Sequence, residues 1–150
     1  MSWLNGIRAK SISVMLINAG GCTGCARQFQ AALLLDSGKG ITLTGNPRHA
    51  DVLFVAGCIN NKSADYLKEI YNKMPSPKAV IAAGACACEG SLFRSEENGI
   101  NPLEKVLPVN TYVRGCIPEM DKMLEAVINV VEDGYKEYKD GWDHDTELER

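Results

Sequence analysis

The chain of 150 residues contains six cysteines, whose thiols can bind metal, form disulfides or act as nucleophiles: Cys22, Cys25, Cys58, Cys86, Cys88 and Cys116. Cys22 and Cys25 form a Cys-x-x-Cys pair, which alone fits a redox disulfide, half of a zinc site or half of an iron–sulfur site. A chain of this length can bury a sizeable core without disulfides. In a reducing cytosol, cysteines grouped in this way indicate metal binding or catalysis.

Composition and charge narrow the class of protein. The sequence is 45% hydrophobic and 23% charged, which is ordinary for one soluble globular domain. The net charge of −3, with both signs interspersed, argues against a nucleic-acid-binding surface. No apolar segment follows a basic start, and the longest apolar runs are too short to cross a bilayer. We therefore expect a cytoplasmic protein that can still dock on a membrane-bound partner.

Strands and helices alternate along the chain, and these elements must position the cysteines. Short apolar runs predict strands at residues 12–18, 41–44, 51–56, 78–83 and 109–113. Helices are predicted at residues 26–35, after Ser63 as N-cap, and beyond Pro118. Residues 88–104 are predicted to be irregular. This alternation indicates one α/β domain over residues 1–150, with helices on both faces of a mainly parallel, flavodoxin-like open sheet.

Every cysteine falls just past the C-terminal end of a predicted strand. Open α/β sheets bind their ligands at this edge, so residues that are distant in sequence are expected to meet there. Neighbouring glycines allow the backbone to approach closely and to direct N–H groups at an anionic group. The first turn, from Gly20 to Cys25, lacks the G-x-G-x-x-G spacing, which disfavours phosphate binding.

The residues alone leave the ligand set partly open. Cys22 and Cys25 form one natural pair, and single cysteines after the fourth and fifth strands would complete a tetrahedral set. If the strand pleat continued, Cys86 and Cys88 would point in opposite directions, so only one of them would serve. Cys58 and the remaining member of that pair are then predicted to be packed thiols.

Four segments follow the order found in one known family: Gly21-Cys22-Thr23-Gly24-Cys25, Gly45-Asn46-Pro47-Arg48-His49-Ala50-Asp51, Gly84-Ala85-Cys86-Ala87 and Pro108-Val109-Asn110-Thr111-Tyr112-Val113-Arg114-Gly115-Cys116. Through them the chain resembles the small subunit of NiFe hydrogenases, in particular the short, energy-converting, membrane-associated type. That group is related to the cluster-bearing, quinone-proximal subunit of respiratory complex I. The resemblance extends over nearly the whole chain, from about residue 12 to about residue 131.

The resemblance implies an electron-transfer subunit of a hydrogenase-type oxidoreductase, with no catalytic centre on this chain alone. It implies one proximal 4Fe–4S cluster with four cysteine ligands: Cys22, Cys25, Cys86 and Cys116. The implied partners are a large subunit that holds the NiFe centre, a ferredoxin-like subunit and membrane subunits of the complex. The implied location is peripheral, on the cytoplasmic side of the cell membrane.

The chain departs from the family pattern at several positions. Complex I relatives have adjacent cysteines in the first motif, so the Cys-x-x-Cys spacing here favours the hydrogenase side. Gln28 stands where family members often carry Glu and cannot relay a proton as a carboxylate does. Ile117 replaces a proline, and Cys58 replaces a residue that is usually not cysteine. Two alternatives remain open: a structural zinc module that serves assembly, and the cluster subunit of a quinone-reducing complex I-like enzyme.

Neither of the two histidines is predicted to be a metal ligand. His49, beside Arg48, is expected at a surface or interface, and the family resemblance places this segment between the cluster and the partner subunit. His144 lies in an acidic tail that begins at about residue 132 and is expected to fray.

Overall fold

The computed structural model describes residues 11–95, 97 and 99–135. Within these residues, five strands form one sheet: β1 (Ile12–Asn18), β2 (Ile41–Leu43), β3 (Val52–Ala56), β4 (Ala79–Ala83) and β5 (Thr111–Val113). All neighbouring strands are parallel, and their order is β2-β1-β3-β4-β5. This is the flavodoxin-like strand order, so the predicted fold class is confirmed.

Helices cover both faces of the sheet: α1 (Gly24–Leu35), α2 (Asn61–Lys73), α3 (Gly84–Glu89) and α4 (Met120–Glu132). On one face, the helices α1 and α4 enclose a core in which Phe29 stacks on Phe54 with ring centroids 4.0 Å apart. On the other face, Leu53 packs in a second core with Leu67 and Ile70 of α2. Every residue of β3 and β4 is buried, as expected for central parallel strands covered on both sides.

The helix α2 begins earlier than predicted, and its cap is Asn60 rather than Ser63. The Asn60 Oδ1 atom accepts a hydrogen bond from the Ser63 backbone N–H at 3.0 Å. In return, the Ser63 Oγ atom accepts one from the Asn60 backbone N–H at 2.9 Å. Both residues suit a helix start, but this reciprocal capping box requires Ser63 at the third helical position.

The prediction of irregular structure from residue 88 onward was wrong at its start, because α3 follows β4 directly and extends to Glu89. A helix of six residues is too short for apolar periodicity to reveal it. Two 3₁₀ turns, Ser91–Phe93 and Leu103–Lys105, lie in the rest of this segment. Leu103 is fully buried, so part of the segment contributes to the core.

The described chain ends just beyond α4. The Asn110 side-chain amide donates to the Tyr135 carbonyl at 3.0 Å, and the Tyr135 N–H donates to the Val130 carbonyl at 3.0 Å. His144 and the predicted acidic tail beyond residue 135 lie outside the described residues. None of the helices seen in residues 11–135 has the length and apolar character needed to cross a membrane.

Candidate functional site

Four loops at the carboxyl edge of the sheet carry the cysteines. The strand β1 ends at Asn18 and is followed by the loop with Cys22 and by Cys25 in the first turn of α1. Cys58 follows β3, Cys86 follows β4 within α3, and Cys116 follows β5. The strand order therefore brings to one edge residues that are separated by up to 94 positions in the sequence.

Close backbone approach joins the loops after β1, β4 and β5. Gly84 has a φ of +83°, and a Cβ atom added there would lie 2.5 Å from the Cys25 sulfur. The Ala85 N–H donates to the Gly115 carbonyl at 2.9 Å. Because Gly115 directly precedes Cys116, this hydrogen bond holds the last cysteine loop against the start of α3.

The loop after β3 is held against the loop after β1. The Cys58 N–H donates to the Gly20 carbonyl at 3.0 Å. Gly57 has a φ of +88°, and a Cβ atom added there would collide with the backbone of Gly20. The Cys58 sulfur lies 3.7 Å from the position of a Cβ atom on Gly21. These contacts place Cys58 beside the Cys-x-x-Cys loop.

The cysteines of this edge differ in exposure. Cys22 and Cys116 are exposed, whereas Cys25, Cys58 and Cys86 are half-buried. The Cys22 sulfur accepts a hydrogen bond from the Gly24 N–H at 3.2 Å, at the start of the twelve-residue helix α1. Backbone N–H groups at a helix N-terminus carry partial positive charge, so an anionic group bound beside them would be stabilised.

The thiols of Cys25 and Cys86 are harder to ionise than a free cysteine, because each is partly buried and has other thiols as neighbours. Burial raises the pKa of Cys25, and the neighbouring Cys116 and Cys22 raise it further. Burial also raises the pKa of Cys86 to about 11, with additional contributions from the neighbouring thiols of Cys58, Cys116 and Cys25. We call these five cysteines the five-thiol site. Because the thiols raise one another's pKa, four of them can be thiolates together only if a bound metal group supplies positive charge.

Cys88 does not belong to the five-thiol site. It is fully buried, and its Sγ donates to the carbonyls of Ala82 at 3.4 Å and Val113 at 3.8 Å. Burial raises its pKa to about 12. Cys86 and Cys88 point in different directions, as predicted. The prediction assumed a continuing strand pleat, and that reason was wrong. Both lie in α3, where side chains two residues apart diverge by about 200°.

The prediction that Cys58 is simply a packed thiol needs correction. Its side chain is half-buried, and its sulfur lies 3.7 Å from the position of a Cβ atom on Gly21, so it lies beside the loop that carries Cys22. The signal that could have revealed this was its position at a strand end, which it shares with Cys86 and Cys116. The apolar pair Leu92 and Phe93, exposed in the turn after α3, was also missed.

The arrangement of donors discriminates between kinds of metal group. A structural zinc ion requires four ligands that converge on one point, with Zn–S distances of about 2.3 Å. In the described ranges, no three His, Cys, Asp or Glu side chains are arranged to hold one metal ion. An iron–sulfur cluster attaches each cysteine to a separate iron, and its net negative charge is stabilised by nearby N–H groups. A sulfur-only donor set beside the start of α1 therefore fits a cluster.

Other predicted residues lie farther from the thiols. His49 and Arg48 are exposed in the 3₁₀ turn Pro47–His49, where the Asn46 side chain accepts from the Arg48 N–H at 3.0 Å. This turn precedes β3 and so lies at the opposite edge of the sheet from the cysteines. Gln28 is half-buried on α1, one turn after Cys25. Ile117 is 49% exposed and lies against Gly24, beside Cys22.

Alkylation of the cluster-free protein should separate the cysteines by exposure. We expect iodoacetamide at neutral pH to modify Cys22 and Cys116 first, whereas Cys88 should react only after unfolding. Because the thiolate is the reactive form and the pKa of Cys86 is raised, labelling of Cys86 should increase as pH rises toward about 11. Peptide mass spectrometry at successive times and pH values gives the rates, with urea-unfolded protein as control. Labelling of Cys88 as fast as that of Cys116 would contradict the placement of Cys88.

Comparisons with known proteins agree on one group. The sequence model of a family described as NADH ubiquinone oxidoreductase, 20 Kd subunit, matches residues 22–130. A probable membrane-bound hydrogenase subunit mbhJ of Pyrococcus furiosus is 39% identical over 122 residues, covering 79% of this chain and 73% of that protein. A subunit of the NADH-quinone oxidoreductase of Aliarcobacter butzleri is 40% identical over 103 residues, covering 63% of this chain and 60% of that protein.

A solved structure is similar as well. It is a chain in the membrane-bound sulfane sulfur reductase (MBS), which is described as an archaeal respiratory membrane complex. The two chains superpose with a TM-score of 0.72 and 27% sequence identity, over 97% of this chain and 82% of that one. The similarity thus covers both the sheet and the loops that carry the cysteines.

Proposed function

Because this chain belongs to the NADH ubiquinone oxidoreductase, 20 Kd subunit family, we propose that it carries one 4Fe–4S cluster and transfers electrons within a membrane-bound oxidoreductase complex. Its relatives include subunits of both a membrane-bound hydrogenase and NADH-quinone oxidoreductases. An electron-transfer role is common to those complexes. In this proposal, the chain holds the electron carrier and a partner subunit holds the catalytic centre.

The observation that carries the proposal is the convergence of thiols from four loops at one sheet edge. We propose four of them as cluster ligands: Cys22, Cys25, Cys86 and Cys116. Cys25 and Cys86 are half-buried and would hold the inner side of the cluster. Cys22 and Cys116 are exposed and would hold its outer side, facing a partner. Cys88 is excluded because its sulfur is buried in the core.

The chain itself supplies binding, charge stabilisation and a fixed position. When bound, a 4Fe–4S cluster supplies a one-electron carrier. The Gly24 N–H already donates to the Cys22 sulfur and would stabilise negative charge on that ligand. Gly84 and Gly115 allow the loops of Cys25 and Cys116 to approach each other without side-chain obstruction. A rigid ligand shell keeps the carrier at a constant distance from its redox partners.

A docking partner at the same edge accounts for the exposed apolar side chains near the ligands. Ile117 directly follows Cys116, and Leu92 is 96% exposed shortly after Cys86. Exposed apolar residues around a redox site are typical of a protein interface. We propose that the partner is a large subunit that holds a NiFe centre, with a ferredoxin-like subunit and membrane subunits completing a complex on the cytoplasmic side of the membrane.

The second candidate is a quinone-reducing, complex I-like enzyme, since a subunit of an NADH-quinone oxidoreductase is a relative. The Cys-x-x-Cys spacing of Cys22 and Cys25 favours the hydrogenase type. Affinity purification of the intact complex through a tag on this chain distinguishes the two. We expect a copurifying large subunit with paired Cys-x-x-Cys motifs and hydrogen-dependent reduction of a viologen dye. Reduction of quinone or sulfane sulfur without hydrogen oxidation would contradict the hydrogenase assignment but retain the electron-transfer role.

A further inference from the structure

A pair of leucines is exposed far from the cysteines, at the end of α1. Leu34 and Leu35 are 83% and 79% exposed, whereas Ala32, just before them, is buried in the core. The helix begins at Gly24, beside the first cysteine loop, and runs away from it for twelve residues, or about 18 Å. This pair is therefore separate from the apolar residues that are proposed to face the redox partner.

A third exposed leucine lies on the neighbouring edge strand. Leu43 is 44% exposed on β2, which is the outermost strand on its side of the sheet. Ile41, two residues earlier, packs against the core that α1 covers. Because side chains two residues apart in a strand share one face, Leu43 lies on the same face of the sheet as α1. We call Leu34, Leu35 and Leu43 the leucine patch. Grouped exposed apolar side chains mark interaction sites, whereas single ones do not.

The beginning of β1 lies near the leucine patch. The Ile12 N–H donates to the Gly40 carbonyl at 2.9 Å, and Gly40 follows Leu35 by five positions. Residues 1–10 lie outside the described residues and join the sheet at this point. At about 3.3–3.6 Å per residue, the nine positions from Trp3 to Ile12 can span about 30 Å, whereas the five from Leu35 to Gly40 span at most about 18 Å. This segment is therefore long enough to reach the leucine patch.

The composition of residues 1–10 matches an apolar surface. Trp3, Leu4 and Ile7 are three large apolar residues within five positions. Contact between apolar side chains and the leucine patch removes both surfaces from water, which is favourable. A segment tethered beside its binding surface also has a high effective concentration there, which favours it over a separate copy of the chain.

We propose that residues 1–10 fold back over the leucine patch and shield it from water. Trp3 is then the largest side chain in this contact. The proposal goes beyond the proposed function, since it does not require a bound cluster. It assigns an occupant to exposed apolar side chains that the redox site does not explain.

The fluorescence of Trp3 tests the proposal. The chain has two tryptophans, and Trp142→Phe leaves Trp3 as the only one. In this variant of the full chain, we expect emission at shorter wavelength and slower quenching by acrylamide than in the same protein unfolded in urea. Adding Leu34→Ser and Leu35→Ser should move the emission to longer wavelength and raise the quenching constant several-fold, because the indole loses its apolar partners.

Leu92→Ser combined with Phe93→Ser is the matched control, because it removes an exposed apolar pair near the cysteines instead. Trp3 emission should not change in that variant, and circular dichroism should show that both double variants are folded. With the leucines intact, Trp3 emission equal to that of the unfolded chain would overturn the proposal. Short-wavelength emission that the leucine substitutions leave unchanged would overturn it too. So would emission that shifts on dilution while sedimentation shows a dimer dissociating, since a second copy would then be the occupant.

Discussion

Cys86→Ala is expected to remove the iron–sulfur cluster, whereas Cys88→Ala is expected to retain it. Cys86 contributes a half-buried sulfur to the five-thiol site, so its loss leaves three of the four proposed ligands. Cys88 has its sulfur in the core, hydrogen-bonded to the carbonyls of Ala82 and Val113. Iron content and visible absorption of the two variants, purified without oxygen, measure the difference.

The two variants are matched controls because they make the same change two residues apart in one short helix. Cys88→Ala should lower the free energy of unfolding by about 1 kcal/mol, since it leaves a small cavity in the core. Its iron content should stay at the level of the unsubstituted chain. If Cys88→Ala lost the cluster and Cys86→Ala kept it, the ligand assignment would be wrong.

Gly84→Ala should have a comparably large effect without touching any thiol. Gly84 has a φ of +83°, where a residue with a side chain is strained by about 1–3 kcal/mol. The added Cβ atom would also lie 2.5 Å from the Cys25 sulfur, so that ligand or the loop must shift. We expect a several-fold lower iron content and a lower midpoint in thermal unfolding, followed by circular dichroism.

Gly45→Ala provides the control for that substitution. Gly45 lies in the turn after β2, and a Cβ atom added there would meet no other atom within 4 Å. Both variants add one methyl group in place of a glycine hydrogen, but only Gly84 is next to a proposed ligand. Equal iron content in Gly84→Ala and Gly45→Ala would show that the contact between Gly84 and Cys25 does not constrain the site.

The sheet could be predicted from sequence because its signals are local. The apolar runs that form β3 and β4 are continuous, as strands covered on both faces require, and turn residues bound them. The strand order followed from the alternation of strands and helices. The rule that parallel strands bind ligands at their carboxyl edge then predicted that Cys22, Cys58 and Cys116 would share one region.

The details within the site depend on contacts that no local pattern reveals. The short helix α3 carries no complete apolar repeat, so the sequence did not reveal that Cys86 and Cys88 lie in a helix rather than on a continuing strand pleat. To predict where α2 begins, one would have to know that Asn60 and Ser63 form hydrogen bonds with each other. The approach of Gly84 to Cys25 joins residues 59 positions apart and is set by the packing of two loops. The approach of Cys58 to Gly20 and Gly21 has the same origin.

The choice of four ligands from six cysteines also exceeds what spacing alone can give. Spacing identified the pair Cys22 and Cys25 but left Cys86 and Cys88 equivalent. The burial of Cys88 separates the two, because a sulfur enclosed in the core cannot reach a group at the sheet edge. Cys58 and Cys86 both follow strand ends and are both half-buried, so the choice between them depends on the family resemblance and on the iron content of the Cys86→Ala variant.

The central claim is that this chain holds one iron–sulfur cluster on cysteine ligands. Chemical analysis of the full chain, purified without oxygen from the intact complex, tests it most directly when combined with electron paramagnetic resonance after reduction. We predict about four iron and four acid-labile sulfide per chain, with broad visible absorption and a paramagnetic signal on one-electron reduction. A colourless chain with stoichiometric zinc and no labile sulfide would contradict the claim.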